Sequence, residues 1–258
     1  MPHRHHLLGV DVGGSGVKGA LVDLRDGTLL AERVRVPTPQ PATPEAVAET
    51  VAHVARAAGW TGGPVGCTVP GRVRGGVVET AANIDPSWVG VRAAKLFKKA
   101  LGKDAGPVAV LNDADAAGLA EMRWGAGRDA EGTTLVLTFG TGIGSALFVG
   151  KRLVPNTELG HLRHDGRRSI EDVAADSARQ RQHLTWERWA KQRVQPALDH
   201  YEFLFSPDRI IVGGGVSKPE TWALFGHHLA TRAALVPAAL GNTAGMVGAA
   251  WHARQQEK

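Results

Sequence analysis

Gly14-Ser15-Gly16-Val17-Lys18-Gly19-Ala20-Leu21 and Gly140-Thr141-Gly142-Ile143-Gly144-Ser145-Ala146-Leu147 align without a gap. Both runs read glycine, hydroxyl, glycine, β-branched aliphatic and, after two variable positions, Ala-Leu. Apolar stretches that read as strands precede them, over 7–12 in the first and 133–139 in the second. A strand–turn–strand unit in each half predicts two related lobes. Working outward from the first copy, 19–24 reads as the next strand, Asp26-Gly27 as a hairpin turn, and 28–36 as a third antiparallel strand. Thr43 as N-cap and Pro44 at the first helical position predict a helix that ends at Gly59, with Val47, Val51, Val54 and Ala58 on one stripe. Buried strands are expected over 64–69 and 107–111, a hairpin with Gly75-Gly76 at its tip, and helices over 91–101 and 113–124. Outward from the second copy, 144–149 reads as a strand, 171–179 as a helix, and 185–205 as a longer helix that Pro196 kinks. A short buried strand over 210–212 and two helical stretches, the last over 245–254, complete the reading.

Composition narrows the function classes. Of the 258 residues, 43% are hydrophobic and 21% charged, an ordinary globular balance with material for a sizeable core. Cys67 is the one cysteine, so neither an intramolecular disulfide nor a structural zinc site built on several thiolates is expected. No apolar run approaches the ~20 residues of a bilayer span, and the polar start Met1-Pro2-His3-Arg4-His5-His6 does not read as a signal peptide. The expectation is a cytoplasmic protein without a membrane partner. A net charge of +5 favours anionic partners. No zinc-finger spacing, RNP-type aromatic motif or basic helix supports nucleic acid as that partner.

Several short motifs carry chemistry. In Asp11-Val12-Gly13-Gly14-Ser15-Gly16, glycines allow successive backbone N–H groups to line a concavity that suits phosphate oxygens. Ser15 adds a hydroxyl, Lys18 a positive charge, and Asp11 a carboxylate able to hold a magnesium ion through water. A tight hairpin alone would also explain such a turn. Its return at Gly140-Thr141-Gly142 favours a ligand. A strand follows each turn, which argues against a dinucleotide fingerprint, and neither has the Gly-Lys-Ser/Thr ending of a P-loop. Asn112-Asp113 falls where a buried strand meets a helix, the place where ligands gather in α/β sheets. A carboxylate there can accept the proton of an attacking hydroxyl, and both residues are also good helix caps. Glu158 and His161, three apart, supply acceptor and donor groups for adjacent sugar hydroxyls. His161 and His164 as a metal pair would lack a third ligand nearby. Gly213-Gly214-Gly215 after a buried strand allows close approach of a ligand or simply turns into a helix. Trp186 and Trp189 read as core.

Taken in order, these motifs resemble the ROK family of sugar kinases and repressors, within the actin-like ATPase (ribonuclease H-like) fold. The closer likeness is to its polyphosphate glucokinase branch, some members of which also accept ATP or mannose. The residues that carry it are 11–19, Pro37-Thr38-Pro39-Gln40-Pro41-Ala42-Thr43-Pro44, Asn83-Ile84-Asp85-Pro86-Ser87-Trp88, 112–118, 140–148, 155–162, Ser206-Pro207-Asp208 and 213–218. The resemblance implies an α/β fold with two lobes around a central cleft. A smaller lobe over 1–111 would be completed by the C-terminal helix 243–258, and 112–242 would form the larger lobe. It implies transfer of a phosphoryl group to the 6-hydroxyl of glucose, from inorganic polyphosphate and also ATP, by a homodimer that uses Mg²⁺. Asp113 would be the catalytic base. Asn83, Asn112, Asp113, Glu158, His161, Glu171 and Gly71 would contact the sugar. Gly13, Gly14, Ser15, Gly16, Lys18, Gly140, Thr141, Gly142, Gly213 and Gly214 would contact phosphate, and Asp11 would serve the magnesium.

ROK kinases usually carry a cysteine-rich zinc motif after the Glu-Leu-Gly-His segment. Here Gly166-Arg167-Arg168-Ser169-Ile170 takes its place, as in the polyphosphate branch, and no structural zinc is expected. A basic groove for a long polyanion has candidates in Arg72, Arg74, Lys95, Lys98, Lys99, Arg163, Arg167 and Arg168. A strictly ATP-dependent glucokinase or other hexose kinase on the same fold is the main alternative. A sugar-sensing regulator would need a helix-turn-helix before the first strand, where only six residues stand. A chaperone-like ATPase would need neither Asn112-Asp113 nor the Glu-Leu-Gly-His segment.

Overall fold

β1 (His6–Val12) and β2 (Val17–Asp23) form an antiparallel hairpin across the first glycine turn, with Asp11 opposite Lys18 and Val12 opposite Val17. The computed structural model describes residues 5–81 and 84–256. The third strand expected over 28–36 is broken into β3 (Thr28–Leu29) and β4 (Val34–Val36), both paired with β2. Register explains the break. Leu29 faces Val22 and Val34 faces Gly19, so residues 30–33 have only Ala20 and Leu21 to pair with and bulge from the sheet.

α1 (Pro44–Ala57) starts where its cap predicts, and the Thr43 hydroxyl accepts the Ala46 N–H at 3.4 Å. β5 (Gly63–Val69) then runs parallel to β1. A small hairpin of β6 (Val73–Arg74) and β7 (Val77–Val78) and the helix α2 (Ala93–Leu101) lead to β8 (Ala105–Asn112), parallel to β5. α3 (Asp113–Trp124) follows directly. The sheet order is β3-β2-β1-β5-β8. Leu8, Val10 and Val12 of β1 pack with Val47, Val51 and Val54 of α1, and with Val65, Cys67, Trp88 and Phe97.

The second copy repeats the five-strand order of this plan, without a counterpart of β4. β9 (Thr133–Phe139) and β10 (Ile143–Val149) form its hairpin, and β11 (Arg152–Val154) extends it. The sequence of buried and half-buried positions along β9 is the same as along β1. The short helices α4 (Ile170–Ala174), α5 (Asp176–Arg181) and α6 (Trp186–Trp189) and the longer α7 (Gln195–Phe205) precede β12 (Arg209–Gly214), which pairs parallel with β9. After α8 (Pro219–Trp222) comes β13 (Ala234–Pro237), parallel to β12, then α9 (Ala244–Gln255). The second order is β11-β10-β9-β12-β13.

Two expected helices and one unread strand need correction. The one over 171–179 is two, broken where Ala175 is extended (ψ 155°), and a reciprocal Ser169–Asp172 capping box starts the first. The long helix over 185–205 passes through a wide turn over 190–194 instead of a kink. Pro196 has no N–H to offer one turn back, and the Gln195 N–H reaches the Ala190 carbonyl five residues earlier. Residues 234–237 form a strand that the sequence reading did not contain. Pairing with β12 dictates the extended form there, since the segment has no alternation of its own. Trp189 is core as expected: fully buried, 5.8 Å from the Phe139 ring and 5.0 Å from Phe225, with Nε1 donating to the Ala174 carbonyl.

The chain divides into two compact units, 1–120 with 243–258, and 121–242. The division falls inside α3 at Glu121, further along than the expected 111/112 boundary. Glu121 explains why: its buried carboxylate accepts backbone N–H groups from Ala126, Ala239 and Leu240, all in the second unit. Among the described residues no helix is long and apolar enough to cross a membrane.

Candidate active site

In the first unit, three parallel strands end side by side. Asp11 lies beside Thr68, Thr68 beside Leu111, and Val69 beside Asn112. The carboxyl ends of β1, β5 and β8 therefore deliver the first glycine turn, Gly71 and Asn112-Asp113 to one edge of the sheet, where α/β proteins bind ligands.

Asp11 is held from two sides. Its Oδ1 accepts the Thr68 hydroxyl at 2.8 Å, and its Oδ2 faces Lys18 Nζ at 3.2 Å. Thr68 in turn accepts the Val12 N–H at 3.1 Å, so the carboxylate is fixed to β1 and β5 together. Each carboxylate oxygen has a second lone pair left. Magnesium is usually bound through one or two carboxylates, keeping several of its own waters, so this donor set fits a hydrated ion. Among the described residues no group of three or more His, Cys, Asp or Glu could hold a metal by itself. The Gly13 N–H closes the turn on the Gly16 carbonyl at 3.1 Å, and the buried Thr38 hydroxyl donates to the Gly13 carbonyl. Ser15 is exposed at the tip.

Asn112 caps α3. Its Oδ1 accepts the N–H groups of Ala114 (2.8 Å) and Asp115 (3.1 Å), and its Nδ2 donates to the Gly71 carbonyl at 3.2 Å. Gly71 is glycine because a Cβ there would overlap the Thr80 carbonyl. Asp113 is half-buried in the first turn of α3, where its Oδ1 accepts the Ala114 N–H at 2.9 Å. The helix dipole favours a negative side chain at that position. Asn83 lies outside the described residues. Five residues on, Trp88 is fully buried, its Nε1 donates to the Ala42 carbonyl, and its ring is 5.9 Å from Phe97.

The second unit gathers the other residues. Gly214 pairs with Phe139 and Gly213 with Thr138, so the Gly213-Gly214 segment lies against the strand that enters the Gly140 turn. Gly214 has φ +85°, and a Cβ there would strike the Phe139 backbone. The Gly140 N–H bonds the Gly142 carbonyl at 3.0 Å. Ser177 braces the turn, its N–H donating to the Gly140 carbonyl at 3.0 Å and its hydroxyl to the Thr141 carbonyl at 2.6 Å. Glu158, His161 and Glu171 form one cluster. His161 Nδ1 is 3.2 Å from Glu171 Oε1 and its Nε2 is 3.7 Å from Glu158 Oε2. Glu171 Oε2 accepts the Ile143 N–H at 3.0 Å, which ties the cluster to the glycine turn. Ser145 holds the segment beneath: its hydroxyl donates to the Thr157 carbonyl and accepts the Leu159 N–H.

Thr68, Ser177 and Ser145 were not singled out in the sequence. Thr68 leaves a trace, a hydroxyl in the otherwise apolar run Val65-Gly66-Cys67-Thr68-Val69. Ser177 leaves none, because its importance arises only when α5 meets the turn. Cys67 is fully buried, and burial pushes its thiol far above the usual range, so it is not a nucleophile. Of the candidate polyphosphate cations, Arg168 is paired with Asp165 at 2.6 Å and Arg74 with Glu79 at 3.3 Å.

Two sheets of matching order, each turning through glycines at the end of its first parallel strand, are the signature of the actin-like ATPase fold. Within that class the chain belongs to the ROK family, which it matches over residues 7–183. It is 50% identical over 248 residues to the polyphosphate glucokinase of Mycobacterium tuberculosis, covering 96% of this chain and 91% of that one. The inorganic polyphosphate/ATP-glucomannokinase of Arthrobacter sp. strain KM superposes with a TM-score of 0.91 at 49% identity, over 97% of this chain and 99% of that one. A ROK family glucokinase from Streptomyces griseus, solved with glucose and AMPPNP, gives 0.83 at 26% identity, over 97% and 99%.

Proposed function

We propose that this chain transfers the terminal phosphoryl group of inorganic polyphosphate, and also of ATP, to the 6-hydroxyl of glucose. The observation that carries the reading is Asp113, a carboxylate at the end of β8, two strands from the glycine turn and Asp11. The 50% identity to polyphosphate glucokinases, over nearly the whole of both chains, supports this donor and acceptor.

Asp113 accepts the proton of the 6-hydroxyl as its oxygen attacks the terminal phosphorus. The new O–P bond forms while the bridging P–O bond breaks, and the shortened phosphate chain leaves with the electron pair. Asn112, committed to capping α3, fixes the backbone that carries Asp113. Glu158, His161 and Glu171 offer acceptors and an imidazole to the remaining sugar hydroxyls. Backbone N–H groups of the glycine turns, with Gly213 and Gly214, receive phosphate oxygens. Asp11 would hold Mg²⁺ through water, and the ion would neutralise phosphate charge. Most of the acceleration comes from alignment and fixed dipoles. In the same reading the protein works in the cytoplasm as a homodimer.

The test is glucose phosphorylation with polyphosphate and ATP supplied in turn to the purified protein. Formation of glucose 6-phosphate from polyphosphate supports the reading. Activity with ATP alone moves the chain to the nucleotide-dependent kinases, and activity with neither donor overturns it.

A further inference from the structure

Arg35 lies on β4 directly opposite Lys18 on β2, so both cations project from one face of the sheet beside the first glycine turn. Like charges facing each other across a strand pair are unfavourable unless something anionic lies between or beside them. Lys18 has its counter-charge in Asp11, at 3.2 Å. Among the described residues no carboxylate forms an ion pair with Arg35, whose guanidinium Nη2 instead donates to the Ser15 carbonyl at 3.4 Å. The guanidinium also lies against Gly16: a Cβ there would come 3.0 Å from Nε, 3.2 Å from Nη2 and 3.3 Å from Cζ. Gly16 is thus the gap in which Arg35 rests. Three residues on, Thr38 fastens the other end of the same turn at the Gly13 carbonyl. The strand and loop over 35–38 therefore grip the turn at both ends and leave an exposed, planar cation at its rim.

We infer that Arg35 is a further donor-binding residue, its guanidinium taking phosphate oxygens of the polyphosphate chain at the first glycine turn. A planar guanidinium matches the paired oxygens of a phosphate better than a lysine does. A long chain of phosphates would give Arg35 the counter-charge that Asp11 already gives Lys18. The inference rests on the proposed phosphate role of this turn, and it adds a residue outside the glycine motif.

The experiment compares wild type, Arg35→Gln and Arg35→Lys with polyphosphate of defined length across a salt series, with melting temperatures alongside. Arg35→Gln raises KM for polyphosphate about tenfold, with the change in KM and not in kcat. The slope of log KM against log salt falls by about one. KM for glucose is unmoved, and Arg35→Lys lies between the two. An unchanged KM for polyphosphate in Arg35→Gln overturns the inference. So does a rise shared equally by Arg35→Lys, with a lowered melting temperature and an unchanged salt slope, since that pattern marks a structural role. If wild type phosphorylates no glucose, the functional reading fails separately, and calorimetry with inorganic tripolyphosphate decides for Arg35. Binding by wild type that Arg35→Gln weakens supports it, and equal binding or none overturns it.

Discussion

At Asp113 the chemistry and the folding requirement differ, which makes the residue testable. Asn112 does the capping, through two backbone N–H groups, so Asp113 is not the main support of α3. Asp113→Asn should therefore fold normally, keep most of its affinity for glucose, and lose about 10²–10⁴-fold in turnover. Steady-state assay paired with glucose calorimetry checks this, and near-normal turnover would remove the residue from its role. A second residue-scale outcome concerns pH. Hydrogen bonds from the Ser169 N–H and hydroxyl hold the Asp172 carboxyl below the usual carboxylate range. A depressed folded value means the stabilisation is complete above the ordinary range and fades as pH falls through the lowered one. Asp172→Asn should melt lower than wild type at about pH 7, with the gap narrowing as pH falls below the ordinary carboxylate range. A gap that stays constant would show that the charge is irrelevant to the cap. Asp172 adjoins Glu171, so loosening α4 should also weaken glucose binding.

Among the elements, α9 makes the closest approach to the first sheet. A Cβ at Gly9 would overlap the Met246 carbonyl, one at Gly66 the Ala249 carbonyl, and one at Gly248 the Ala116 carbonyl. Helix, strands and α3 meet backbone to backbone, and these neighbours have no side-chain freedom with which to yield. Gly66→Ala should cost about 1–3 kcal/mol or more, read as a lowered midpoint in urea. Gly59→Ala is different, because open space surrounds that position and only its φ of +74° opposes a side chain. What could be read beforehand follows the same division between local and distant causes. The twin turns, the Thr43 cap and the Asn112-Asp113 junction are written within a few residues and were legible. The breaks at Ala175 and over 190–194 were not, since no residue type marks Ala175 as extended and the second needs a proline whose missing donor is absorbed by a wide turn. β13 was missed because β12 makes it a strand. The partnership of Asp11 with Thr68 spans 57 residues and exists only once β1 and β5 are side by side. Glu171 was expected at the sugar, but what secures it, the Ile143 N–H, has no mark in the sequence.

For the molecule as a whole, charge is the scale on which donor choice can be probed. The chain carries a net +5, and a polyanion held by many phosphates should lose affinity with salt more steeply than ATP does. KM for each donor across a salt series tests this, and equal slopes would count against extended phosphate contacts. The division of the chain has a temporal side as well. The first unit needs residues from both ends of the sequence, while the second is one uninterrupted stretch. During synthesis the second unit can close as soon as it emerges, but β1 and β5 stay bare on one side until α9 arrives to cover Gly9 and Gly66. A nascent chain stalled before residue 243 should thus expose an unfinished sheet to proteases and chaperones, even though every residue proposed for binding and catalysis has already been translated.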